Sequence, residues 1–143
     1  MVYQPVGNPG QCLLRWREHA GRLTRTDKRY SRRSFQAAKA HYLAAGRLPP
    51  GQRVVFWGAG PGGRLMHDLL QQEGVAVHGF LDIHPRRIGG QKRGLPVWPL
   101  EQVANLQDAF VLIAVGTAGV RPEIRAFLDG HEKTEGRDYL FVA

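Results

Sequence analysis

The sequence has a single cysteine, Cys12, so it can close no intrachain disulfide and build no thiolate metal cluster. It has no apolar run near the roughly 20 residues that cross a bilayer. It also lacks the apolar stretch near its start that a secretory signal needs. No membrane span and a cytoplasmic location are the expectations. The six histidines, His19, His41, His67, His78, His84 and His131, show no metal-ligand spacing, so no metal is expected. His67 reads as the exposed side of its helix, and His84 borders the loop after Asp82. A nucleophile elbow, a P-loop lysine and a Tyr-x-x-x-Lys pair are all missing. No general acid and base assemble, so catalytic residues stay unknown and the chain reads as a binder more than a complete catalyst.

Acid is scarce at one end. Residues 1–50 hold ten Lys or Arg against Glu18 and Asp27, a net of +8, while residues 51–143 balance ten against ten. A basic leader and a neutral domain are expected, with the boundary in Leu48-Pro49-Pro50-Gly51, giving domains 1–50 and 51–143. Such a leader suits nucleic acid, anionic lipid or a phosphorylated substrate. It equally suits a solvated face or a docking surface for an acidic partner. With no nucleic-acid motif in it, the second reading is preferred and no nucleic acid is expected.

What is present is glycine in a particular place. Val54, Val55, Phe56 and Trp57 form an apolar run that breaks into Gly58, Ala59, Gly60, Pro61, Gly62 and Gly63. Gly58, Gly60 and Gly63 fit G-x-G-x-x-G. Leu65, Met66, Leu69 and Leu70 follow at helical spacing. A buried strand that turns sharply into a helix offers bare backbone and a positive helix end to a phosphate. Val75 to Leu81 is the next apolar run, and it ends in Asp82, nineteen residues past Gly63. An acid there can take ribose hydroxyls and would favour NAD over NADP. Arg86 and Arg87 follow, able to reverse that preference or to clamp another phosphate. The bland alternatives are a turn that needs glycine only for packing and a solvated carboxylate at a strand end.

The rest of the pattern alternates. Residues 1–10 read as irregular, Cys12 to Trp16 as a short apolar patch and Leu23 to Tyr30 as turn-like. Ser31 or Ser34 starts an amphipathic helix to about Ala45, with Phe35, Ala38 and Tyr42 on one face. Ile83 to Gly94 reads as a polar loop and Leu95 to Trp98 as a short edge strand. Pro99 opens a helix with Leu100 and Val103. Phe110 to Val115 is a strand, Val120 to Leu128 a helix and Tyr139 to Val142 a last strand. The expected fold is α/β: a Rossmann-like parallel sheet of four or five strands, helices on both faces, preceded by the basic helical leader. The 54–57 strand is central and the 95–98 strand outermost. The ligand crevice then lies beyond the strand ends, between the Gly58–Gly63 loop and Gly116-Thr117-Ala118-Gly119. The cofactor-binding candidates are Gly58, Ala59, Gly60, Pro61, Gly62, Gly63, Asp82, Gly116 and Thr117.

Two resemblances rest on quoted residues. Residues 53–63, then Gly79-Phe80-Leu81-Asp82, Pro85-Arg86-Arg87-Ile88-Gly89 and Gly94-Leu95-Pro96-Val97 are similar to the Rossmann-like domains of sugar-modifying proteins. These are the nucleotide-binding domains of bacterial sugar acyltransferases and of membrane nucleotide-sugar dehydratases. Ligands in that group vary among NAD, nucleotide sugars and CoA-like molecules. Arg15-Trp16-Arg17-Glu18-His19 through Ser31 to Arg33 resembles the end of the catalytic domain in bacterial family 2 glycosyltransferases. There His19 matches a histidine near the nucleotide-sugar diphosphate, with Arg22 and Arg25 able to face phosphate. That family's D-x-D metal site is not in these residues, so the resemblance implies the C-terminal piece of such an enzyme. Together they imply a module that binds NAD(H) or a nucleotide sugar in glycosyl transfer or polysaccharide biosynthesis. Its expected partners are a small-molecule nucleotide, a glycosyltransferase catalytic domain and a second copy of the chain. An NAD-dependent oxidoreductase acting on a nucleotide sugar and a ligand-free interaction scaffold are the alternatives.

Overall fold

A computed structural model describes residues 19–106 and 108–143; the readings of the first 18 residues lie outside them. The chain divides into two compact units, Met1–Ser31 and Arg32–Ala143. In the first, the stretch expected to be turn-like holds a single helical turn, α1 (Leu23–Thr26), and a 3₁₀ turn, Lys28–Tyr30. The Asp27 carboxylate caps that 3₁₀ turn by accepting the Arg29 N–H at 2.9 Å.

The second unit is built on β1 (Arg53–Trp57), whose last four residues are all buried. Its side chains alternate between two cores. Val54 and Phe56 pack with residues of α2 (Arg32–Gly46) and α3 (Pro61–Gln72), among them Leu43, Met66 and Leu70. Val55 and Trp57 pack on the other face with Val103 of a 3₁₀ helix, Leu100–Asn105, and with Ile124 and Leu128 of α4 (Arg121–Asp129). A strand covered on both faces must be apolar throughout, which is why no polar residue interrupts it.

The strands lie in the order β3-β4-β2-β1-β5-β6, with β2 Val77–Leu81, β3 Gln91–Lys92, β4 Leu95–Trp98, β5 Ala109–Ile113 and β6 Tyr139–Phe141. Among the five parallel strands β1 is central as expected, paired with both β2 and β5. One edge departs from expectation. Within the supposed polar loop, β3 pairs antiparallel with β4, so Leu95–Trp98 is not outermost and the sheet has six strands. The linking turn has Arg93 at φ 56° and Gly94 at φ 74°. Two successive positive φ values are what a two-residue hairpin demands, and arginine is not a residue that announces them. Arg93 is held by a fork of hydrogen bonds to Asp68, at 2.8 and 2.6 Å.

One further expectation is corrected. His67 is buried at 3% exposure, its ring 5.8 Å from Phe80 and its Nδ1 2.9 Å from the Asp68 carboxylate. Packing of α3 down onto β2 places it inside. The compact unit that holds the sheet starts at Arg32. Helix α2 belongs to it because Ala40 and Leu43 are buried in its core, and Lys39 Nζ donates to the Val142 carbonyl at 2.7 Å. The Pro-Pro-Gly segment is a turn within the unit.

Candidate functional site

The parallel strands end together at one edge, and there the structure opens a cleft of about 690 Å³. That is the size range of small-molecule sites. It sits over the carboxyl ends of β1, β2 and β5, where consecutive crossovers depart to opposite faces of the sheet. Of the residues expected to bind a cofactor, Gly58, Gly60, Pro61, Gly62, Asp82, Gly116 and Thr117 line it. Ala59 and Gly63 do not: Ala59 is 1% exposed, and Gly63 is buried in the first turn of α3.

The glycines divide by job. Gly58 adopts φ 110°, where a side chain would be strained, and its N–H donates to the Leu81 carbonyl at 2.7 Å. A Cβ on Gly63 would stand 1.9 Å from the Gly58 carbonyl oxygen. These two serve the turn itself. Gly60 and Gly62 are different. A Cβ on Gly60 would meet only the Arg87 guanidinium, at 3.9 Å; on Gly62 it would meet the Ala114 carbonyl at 3.6 Å and the Arg32 guanidinium at 3.9 Å. Both therefore present open backbone to the cleft.

Gly60 caps α3, and Pro61 in the first turn has no N–H to leave unsatisfied. The first intrahelical bond runs from Arg64 N–H to the Gly60 carbonyl at 3.1 Å. Helix geometry leaves the N–H groups of Gly62 and Gly63 without an acceptor at the positive end of a twelve-residue helix. Arg87 and Arg32 both line the cleft beside them. Among the described residues Arg32 forms no ion pair. This end of the cleft is cationic.

Asp82 is 4% exposed and its oxygens are largely spoken for. Oδ2 accepts the Ala59 N–H at 2.9 Å and Arg87 Nη1 at 3.0 Å, and Oδ1 accepts the His84 N–H at 2.8 Å. Burial pushes its carboxyl up, yet the His84 and Ala59 amides and the Arg87 charge outweigh that and hold it below the ordinary aspartate value. The remaining walls are apolar: Ile83, Leu100 and Val120, with Trp57 meeting Phe127 edge-on at 5.3 Å. Glu123, in the first turn of α4, supplies a carboxylate from the opposite face of the sheet to α2 and α3. Gln36 of α2 also lines the cleft, and its buried Oε1 has no hydrogen-bond donor among the described residues.

Sequence reasoning missed Arg32, Gln36 and Glu123. The first two precede the expected domain, and Glu123 lies in a helix whose sequence signal is its apolar face. His19, Arg22 and Arg25 fall in the other unit. Among the described residues, no cluster of His, Cys, Asp and Glu is placed to hold a metal, and no helix is long and apolar enough to cross a membrane.

No protein-family description and no curated protein matches the chain. Among solved structures it is similar to the crystal structure of RSP, a Rex-family repressor, with a TM-score of 0.52 and 17% identity over 64% of this chain. The match spans 45% of that protein, less than half its length. The likeness is one of fold, and it agrees with the Rossmann-like arrangement of strands and helices described above.

Proposed function

We propose that the cleft binds a nucleotide, NAD(H) or a nucleotide sugar, with its phosphates at the N terminus of α3. One observation carries this reading: Gly60 and Gly62 keep their open sides toward the cleft, although only Gly58 and Gly63 are needed to make the turn. An anion there meets the free Gly62 amide, a helix dipole and two guanidinium groups. The apolar walls suit a base or nicotinamide ring, and Glu123 suits its amino or amide donors at the far end. Calorimetry with NAD⁺, NADH and UDP-sugars tests it. Saturable binding that Gly60→Asp removes, in a protein that still melts cooperatively, supports the reading. No binding at millimolar concentration ends it.

A link to glycosyl transfer is the finer part of the proposal. It rests on the resemblance of residues 15–33 and 53–143 to sugar-modifying proteins. Co-purification with a family 2 glycosyltransferase catalytic domain is its test. A nucleic-acid-binding regulator is the second reading. Two facts favour it: residues 1–50 carry +8, and the structural neighbour is by its name a repressor. Anisotropy with labelled duplex DNA separates the two, since backbone binding by such a leader falls steeply with salt.

A further inference from the structure

We infer that the cleft recognises a nucleoside diphosphate through the Arg32–Arg87 pair and does not read the ribose hydroxyls. This rests on the nucleotide reading above and deepens it.

The ribose argument is a count of lone pairs. A carboxylate has about four acceptor positions. Asp82 has three of them filled from within the protein, two on Oδ2 and one on Oδ1, and 4% of the residue is exposed. A ribose diol needs both oxygens. Asp82 is instead a positioning residue. It ties Ala59 of the glycine loop to the end of β2 and draws the Arg87 guanidinium over Gly60.

The diphosphate argument is a count of cations. Arg87 has five N–H donors and spends one on Asp82, so four remain. Arg32 approaches from α2 and reaches the next open glycine, Gly62. The two guanidinium groups thus stand over the two glycines with open sides. Each is at 3.9 Å from where a side chain would begin. One phosphate cannot use two forks and a helix N terminus as fully as a pair of linked phosphates can. The unpaired Gln36 oxygen, one turn along the same helix, is an acceptor; it can serve a base amino group and not the phosphates.

The test uses ADP and UDP, their monophosphates and their 2′-deoxy forms, titrated by calorimetry into the full chain. The diphosphates should bind at least about tenfold tighter than the monophosphates, and loss of the 2′-hydroxyl should cost less than about twofold. Arg87→Ala and Arg32→Ala should each weaken ADP or UDP about tenfold and erase the preference over the monophosphate. Arg86→Ala removes the same charge from an exposed neighbour outside the cleft and should change affinity less than about twofold. A tenfold penalty for the deoxy nucleotides, or arginine variants no worse than Arg86→Ala, overturns this inference and leaves nucleotide binding standing. If the folded protein binds neither these nucleotides nor NAD, both fall together.

Discussion

Replacing Gly63 by alanine should cost more stability than its chemistry suggests, and replacing Gly62 should not. On Gly63 the new methyl would lie 1.9 Å from the Gly58 carbonyl oxygen and 3.1 Å from its carbon. Non-bonded heavy atoms sit comfortably at about 3.5–4.0 Å, so the start of α3 and the end of β1 must part by about 1 Å or more. Both sides of the contact are backbone, and no rotamer can relieve it. Overpacking of this kind costs about 1–3 kcal/mol, and the upper end applies here. Against it stands the helix-propensity gain of alanine over glycine, at most about 1 kcal/mol. The net is a loss of about 2 kcal/mol, or roughly 6–10 °C in melting temperature for a chain of this size. At Gly62 the new methyl makes an ordinary contact at 3.6 Å with the Ala114 carbonyl, so only the propensity gain survives. Melting followed by circular dichroism decides the matter. A Gly63→Ala protein that melts at or above the Gly62→Ala protein would mean that the Gly58 carbonyl gives way to a methyl at little cost.

Other perturbations follow the same contacts. Gly79→Ala would set a methyl 2.2 Å from the Trp98 ring, so it should lower the melting temperature and shift tryptophan fluorescence. The Asp82 carboxyl is held below its ordinary value, so its stabilising contribution is present above the unfolded aspartate pKa of about 3.9 and fades as pH falls through the lower folded value. In urea melts from pH 6 to pH 2, Asp82→Asn should therefore flatten the acid limb of the stability profile relative to the parent. Arg93→Gly eases a positive φ but loses the fork to Asp68, itself a partly exposed pair worth at most about 1 kcal/mol. Its melting temperature should change by only a few degrees in either direction, and a collapse of the fold would contradict the account of that turn.

Most of the sheet was legible because each central strand is buried on both faces. Val54–Trp57 and Phe110–Ile113 admit no polar residue, and a fully apolar run bounded by glycine or a charge has few other fates. The order of the parallel strands followed from right-handed crossovers. β3 was not legible, since a two-residue strand carries no periodicity and its turn uses arginine where asparagine would have signalled it. His67 was misplaced for a related reason: the depth to which α3 packs on β2 is not written in α3.

The site divides along the same line. The glycine loop, the acid at the end of β2 and their position beyond the strand ends follow from local sequence, because backbone conformation at a βα turn is decided by neighbours in the chain. Which glycine is filled by packing and which stays open is only partly a local matter. Gly63 is filled by the Gly58 carbonyl of its own turn, but what Gly60 and Gly62 face is set by Arg87, Ala114 and Arg32, which only the folded unit brings near. Likewise the spacing of Asp82 from Gly63 suggests a ligand residue, while three donors from Ala59, His84 and Arg87 turn its carboxylate inward. Arg32 stands 30 residues before Gly62 and reaches the cleft only because α2 docks on α3. Strand, turn and order come from the chain's own short-range chemistry; the charge that faces a ligand comes from side chains that tertiary packing gathers at the cleft.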